Sequence, residues 1–252
     1  MNDTVDKLFT ARLSDLLSRS ERDCCPVFSQ FLDERQCAAA EQWCAFNAGE
    51  SGYALWGGFE GARRRMLAVF PEYCRDGLYD SFPMVCLSFS FRKEDTLTHR
   101  DFLGSFMALQ LKREVIGDII IDEGNAQAFV TDVAARDIKS TVSRIGRVGV
   151  RITDDRPFEM EIRQEFKDIS GTVASLRLDC VVSLAANVSR ENAARLIRSE
   201  KVDIDHFTVT SVSHEVSEGS VLSIRGSGRY ILSGINGSTK KGRIHIKLQK
   251  YI

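Results

Sequence analysis

His99-Arg100-Asp101 spells the opening of a protein-kinase catalytic loop, so phosphoryl transfer is the first chemistry to weigh. The reading fails on spacing. A metal-binding Asn belongs five positions after the Asp, and Phe106 stands there; the chain also lacks the Gly-rich phosphate loop and a D-F-G. Gly226-Ser-Gly228-Arg-Tyr-Ile has two glycines of a dinucleotide fingerprint, but Ile231 replaces the third and the segment does not open a helix. The four histidines have no acidic or cysteine neighbours at ligand spacing, so no metal and no cofactor is expected. Seven cysteines, an odd number without a C-x-x-C, lie mostly in apolar runs, which suits buried thiols in a reducing compartment.

Positive charge offers a different chemistry. From Ser175 to Ile252 there are twelve Lys/Arg and seven Asp/Glu, which leaves 22 basic and 28 acidic residues of the chain's 34 and 35 before Ser175. The overall charge of −1 hides this asymmetry. No acidic residue follows Glu218, whereas Arg225, Arg229, Lys240, Lys241, Arg243, Lys247 and Lys250 accumulate, as a polyanion-binding face requires. Ile244, Ile246 and Leu248 alternate with His245 and Lys247, so these charges are expected on a strand at a sheet edge.

The elements that would position the charges start at Leu176. A helix is expected from Leu176 to Ala186, burying Leu176, Cys180, Val181 and Leu184 with Arg177 toward solvent. Ser189 reads as the N-cap of a second helix that turns Ala193, Leu196 and Ile197 inward and leaves Arg190, Arg195 and Arg198 outside. Lys201 to Asp205 reads as a short strand, with Val209 to Val212 and Val221 to Ile224 supplying more strand. Leu176 to Asp205 resembles an S4 domain, a small RNA-binding module, although Glu200 and Asp205-His206 depart from its glycine and Asn-Gly pattern and Ser220 stands where Asp is common. Asp179, in R-L-D, resembles the catalytic aspartate context of pseudouridine synthases, which often carry S4 domains. Here it lies inside the S4-like helix, with no room left for a catalytic domain, so a helix-terminus or salt-bridge role is expected.

Upstream, Thr4 to Leu17 and Phe28 to Phe46 read as amphipathic helices, the second capped at Ser29 or Asp33. Strands follow at Tyr53 to Trp56 and Arg65 to Phe70, and Pro71 to Ser81 reads as a linker. Then come strand (Met84 to Phe91), helix (His99 to Leu111), strand (Asp118 to Asp122), strand (Gln127 to Thr131), helix (Ala134 to Ile145) and strand (Arg147 to Thr153 or Phe158 to Phe166). This β-α-β-β-α-β order is the ferredoxin-like arrangement. His99 and Arg100 would open its first helix, where free N–H groups and two cationic side chains can meet a phosphate, with Lys112 and Arg113 beside them.

Five ordered motifs widen the resemblance: W-G-G-F-E-G-A (Trp56 to Ala62), T-H-R-D-F-L-G (Thr98 to Gly104), L-K-R-E-V-I-G-D-I (Leu111 to Ile119), S-L-R-L-D (Ser175 to Asp179) and S-T-K-K-G-R (Ser238 to Arg243). Together they resemble the bacterial YlmH family. The resemblance implies an α/β (α+β) protein with an N-terminal α/β region (1–77), a ferredoxin-like RNA-binding domain (78–170) and an S4 domain (175–252). It implies a non-enzymatic RNA-binding protein at the ribosome, associated with large subunits obstructed by peptidyl-tRNA, and a looser link to cell division. The partners expected are structured RNA, both rRNA and tRNA, docked on Arg177, Ser189, Arg190, Arg195, Arg198, Lys201, Arg225, Arg229, Lys240, Lys241 and Arg243, with His99, Arg100, Lys112 and Arg113 as a second contact. An RNA-modifying enzyme delivered by its S4 module is the alternative. No apolar run approaches the roughly 20 residues of a membrane span, and the N-terminus is acidic and amphipathic, so a cytoplasmic monomer with no membrane contact is expected.

Overall fold

The computed structural model describes residues 3–154, 166–238 and 242–251. The chain forms two units, Met1–Ile162 and Arg163–Ile252. The first begins with helix α1 (Asp3–Asp23), strand β1 (Val27–Leu32), helix α2 (Glu34–Asn47) and strands β2 (Gly52–Trp56) and β3 (Arg65–Phe70), the strands forming an antiparallel sheet in the order β1-β3-β2. The expected helix from Phe28 therefore starts late. The aromatic-rich V-F-S-Q-F-L segment pairs with β3 instead, and the helix waits for Asp33, whose carboxylate accepts from Gln36 N at 2.8 Å while Gln36 Oε1 accepts from Asp33 N at 3.0 Å. Central strand β3 is buried on both faces: Leu67 and Val69 pack with Leu13, Cys37 and Ala40 under the helices, while Met66, Ala68 and Phe70 meet Phe31 and Phe129.

Residues 71–81, expected as a linker, are instead packed. They form two short 3-10 turns, Glu72–Cys74 and Leu78–Ser81, because Leu78 and the following Phe82 are buried against Phe31 and Phe70. Next come β4 (Met84–Ser90), α3 (His99–Ala108), the 3-10 turn Arg113–Val115, β5 (Ile116–Asp122), β6 (Asn125–Thr131), α4 (Asp132–Thr141), the small hairpin β7 (Arg144–Ile145) and β8 (Val148–Gly149), and β9 (Arg151–Thr153). The larger strands form an antiparallel sheet in the order β5-β6-β4-β9. Phe102 and Phe106, one turn apart on α3, bury themselves against Phe89, whose ring lies 5.2 Å from that of Phe102. Helix α4 stops at Thr141, short of the expected Ile145, where the chain turns at Gly146 (φ 56°) into the hairpin and buries Ile145 there. Gly58, in the W-G-G-F motif, sits at φ 97° with the Phe129 ring so close that no side chain fits.

The second unit contains β10 (Phe166–Val173), α5 (Leu178–Ala185), α6 (Arg190–Arg198), β11 (Val202–Ile204), β12 (Phe207–Thr208), β13 (Val221–Ile224), β14 (Gly228–Ser238) and β15 (Ile244–Tyr251). Its sheet runs β10-β15-β14-β13-β11-β12. Two expectations are corrected here. Strand β15 pairs with β10 on one side and β14 on the other, so its charges lie inside the sheet and not at an edge. Val209 to Val212 is not strand, although Val209 and Val212 still pack on the core. Strand β10 pairs with β15 along its whole length, Phe166 to Val173 against Tyr251 to Ile244. The core joins Val181, Val182, Ala193 and Ile197 from the two helices to Leu222, Leu232, Ile246 and Leu248 from the sheet.

Candidate nucleic-acid interface

The start of α5 and the start of α6 meet over one carboxylate. Arg177 is the extended residue before α5, Ser189 caps α6 by accepting from Asn192 N at 3.2 Å, and Arg190 is the first residue of that helix. Asp179, 5% exposed, accepts from Arg190 Nε at 2.7 Å and from Arg177 Nε and Nη2 at 3.2 and 3.5 Å. Burial pushes the Asp179 carboxyl up, but the hydrogen bonds from Arg190 and then Arg177 outweigh it and hold it below its ordinary value of 3.8. Arg190, expected to be wholly available, is thus fixed by its Nε; Arg177 is fixed as well, and the two retain 55% and 40% side-chain exposure. One carboxylate orients two guanidiniums that each keep N–H donors turned outward, which prepares the pair for phosphate. The salt-bridge role expected for Asp179 is what the structure shows.

The positive surface continues along α6. Arg195 is 74% exposed and 3.8 Å from Glu191, one helical turn away, a contact worth little in water. Arg198 and Lys201 are exposed, and a bond of 2.9 Å from Arg225 N to Lys201 O brings Arg225, also exposed, beside Lys201. Arg229 is only half-exposed, with its guanidinium 5.2 Å from the Tyr251 ring, and Arg243 donates to Thr172 Oγ1 at 3.2 Å and to its carbonyl at 2.7 Å. Both therefore bind first to their own sheet. Lys240 and Lys241 lie outside the described residues.

The second contact changes more. Thr98 and Asp101 close a capping box at the start of α3, the Asp101 carboxylate accepting from Thr98 N at 2.8 Å and from its hydroxyl at 2.6 Å, so an acidic group already stands where a phosphate was expected. Desolvation of the His99 ring, followed by the nearby Arg113 charge, lowers its pKa from 6.5 and so favours the neutral ring further. Arg113 faces inward, donating from Nη1 to the carbonyls of Ile116 and Gly117 at 2.5 and 3.3 Å. Arg100 and Lys112 remain exposed, Lys112 at 4.0 Å from Glu114.

Sequence reasoning passed over Arg64. Its Nε donates to Ile116 O at 2.8 Å and its Nη2 to Phe31 O and Arg113 O, both at 3.1 Å. The R-R-R run at 63–65 was the available signal. Among the described residues no cluster of three or more His, Cys, Asp or Glu could hold a metal ion, and no helix is long and apolar enough to cross a membrane. Burial raises the Cys37 thiol and pushes Cys44 up to about 11, which works against a thiolate at either position.

Asp179 makes stability pH-dependent. Its folded pKa is lowered, so its contribution is complete above the unfolded value near 3.8 and is lost as pH falls through the lower folded value. Wild type should melt higher than Asp179→Asn at about pH 7, with the gap closing in strong acid. A gap unchanged by acid would show that the carboxylate does not hold the two arginines.

Comparison with known proteins follows the same lines. Residues 82–159 match the family described as "Putative RNA-binding domain in YlmH". Over 226 residues, covering 88% of this chain and 86% of the relative, the sequence is 30% identical to ribosome-associated protein quality control protein P2 of Bacillus subtilis (strain 168). The structure is similar to that of cell division protein ylmH from Streptococcus pneumoniae, with a TM-score of 0.52 and 15% identity over 60% of this chain and 90% of that one. At that identity the likeness shows the mixed α/β fold.

Proposed function

The chain belongs to the YlmH family, and from that premise we propose that it is a non-enzymatic RNA-binding protein acting at the ribosome. It binds rRNA and tRNA on the large subunit and takes part in clearing subunits obstructed by peptidyl-tRNA. The observation that carries the reading is the positive surface of the second unit, where Asp179 orients Arg177 and Arg190 and the series continues through Arg195, Arg198, Lys201 and Arg225. The 30% identity to a protein whose name ties it to ribosome-associated quality control supports the setting. A rigid pair of helices with outward guanidiniums reads phosphates and shape, which suits folded RNA more than a base sequence. In this reading residues 1–77 are an α/β region, the following part is a ferredoxin-like domain, and the S4 domain counts β10 with it. A capped α3 start and a neutral His99 leave the ferredoxin-like part the weaker contact.

The test is co-sedimentation of the purified chain with empty large subunits and with large subunits carrying peptidyl-tRNA. Preference for the loaded subunit is the expected result, because a ligand selects a state only by its differential affinity. Equal affinity removes the rescue role, and a modified nucleotide in RNA incubated with the protein overturns the non-enzymatic reading. The Arg195→Ala/Arg198→Ala double variant should bind large subunits about tenfold or more weakly while its thermal midpoint stays close to wild type, since both side chains are exposed. Unchanged binding would move the interface off α6.

A further inference from the structure

A cavity of about 510 Å³ opens in the N-terminal unit among α1, β1, the start of α2 and the 3-10 turn at Arg113. Its volume lies within the range of small-molecule sites. Phe9, Leu13 and Leu16 form an apolar wall on α1, and Phe31 and Leu32 extend it at the end of β1. Across from them Arg64 and Arg113 stand together, both half-buried. Five bonds to main-chain carbonyls hold the two guanidiniums rigidly, and none of these partners is charged. Arg64 Nη1 and Arg113 Nε and Nη2 remain without a protein acceptor among the described residues.

Two like charges held side by side in a partly dry pocket repel each other. Burial, followed by the Arg64 charge, lowers Arg113 to about 10, so both remain cationic at neutral pH and lack a bonded carboxylate. The nearest acidic influence comes from Asp33 and Asp118, and Asp118 already accepts from Arg63 N and Arg64 N at 2.6 and 3.3 Å. An anion entering the cavity would relieve that repulsion and meet two planar donor groups whose geometry suits phosphate.

We propose that this cavity binds a single nucleotide, with its phosphate on the Arg64 and Arg113 guanidiniums and its base against the Phe9 side. The inference deepens the RNA-binding reading and rests on it for the choice of a base-bearing ligand. One phosphate is the fitting number. Arg12, Arg64 and Arg113 in the lining are balanced by Asp15, Asp33 and Glu114, so a triphosphate would bring excess negative charge to a wall that is neutral in sum. Gln36 reaches the same space with its amide nitrogen available, its Oε1 being taken by Asp33 N, and can donate to an acceptor on a base edge. Such a nucleotide is either free or an unpaired residue of an RNA chain, and the ligand series separates the two.

The experiment is calorimetric titration of the full chain with the four nucleoside 5′-monophosphates, inorganic phosphate, ATP and a single-stranded RNA tetranucleotide. At least one monophosphate should bind saturably, more tightly than inorganic phosphate and at least as tightly as ATP. A tetranucleotide that binds about tenfold tighter than the monophosphate identifies RNA as the source; equal affinity identifies the free nucleotide. Arg113→Gln and Arg12→Glu should each weaken binding about tenfold or more. Arg113 also holds main-chain carbonyls, so if its variant does not fold, Arg12→Glu on the exposed side of α1 decides. Absence of monophosphate and tetranucleotide binding, affinity untouched by Arg12→Glu, or inorganic phosphate binding as well as the nucleotide overturns the proposal. Large-subunit co-sedimentation on the same preparations keeps the two readings apart: a chain that binds subunits but no nucleotide loses only the cavity, and one that binds nucleotide but no subunit loses only the ribosome.

Discussion

Raising monovalent salt from about 50 to about 200 mM should weaken binding of the full chain to large subunits on the order of a hundredfold or more. Arg177 and Arg190 stand over one carboxylate, so together they neutralise fewer phosphates than two free cations would. Arg195, Arg198, Lys201 and Arg225 add exposed charges without a close, well-formed ion pair among the described residues. About five phosphates neutralised, each releasing condensed counterion with a slope of roughly 0.7 to 0.9, gives a log-log slope near 4, and a fourfold change in salt then reaches a few hundredfold. Arg198→Ala should lower the slope by about one phosphate's share. Asp179→Ala should act differently. It releases two guanidiniums from a fixed geometry and leaves the slope nearly unchanged or larger, while affinity falls because the donors are no longer held for contact. Affinity that does not respond to salt would place recognition outside this surface and end the electrostatic account.

The legible parts of this chain were those where a local pattern determines the structure. Ser189 caps α6 as its position before an amphipathic run requires, and the Ala193 and Ile197 face is buried at helical spacing. Capping also set the start of α2, but at Asp33 and not at Ser29, because the Ser29 hydroxyl accepts from Leu67 N in β3 and the strand state of V-F-S-Q-F-L depends on β3, more than thirty residues later. Such partners are invisible to a periodicity reading. The same is true of Pro71 to Ser81, whose turn-like letters suggested a linker while Leu78 and Phe82 anchor it to a sheet. At the candidate interface, residue type identified the arginines but could not separate the free from the engaged. A helical projection puts Arg190 on the stripe of Ala193 and Ile197 and Arg195 away from it, but only the fold supplies Asp179 as the partner of the first and leaves solvent around the second. Arg113 was counted as a surface cation for the same reason, and its role depends on Arg64, which lies 49 residues away.

Ile197→Ala should destabilise the second unit by about 2 to 5 kcal/mol, the largest single-residue effect on stability expected here. Ile197 has no exposed surface and lies in the core between the helices and the sheet, whereas Leu196, its neighbour and the other inward candidate, is only partly buried. Removing its outer carbons leaves a void that Val181, Ala193 and Leu222, all without exposed surface themselves, can fill only by moving a helix or the sheet. In a unit of this size each kcal/mol shifts the midpoint by about 4 to 8 °C, so melting should fall by at least about 8 °C. Binding should be kept at low temperature with the same salt slope, because Arg195 lies on the side of α6 opposite Ile197 and Arg198 is exposed, and should be lost only as the unit unfolds. Thermal denaturation followed in parallel with subunit co-sedimentation at about 10 °C measures both effects. If Ile197→Ala abolished binding while the unit stayed folded, the inward face of α6 would itself be part of the recognition surface. The division of that helix into a packing face and a phosphate face would then be wrong.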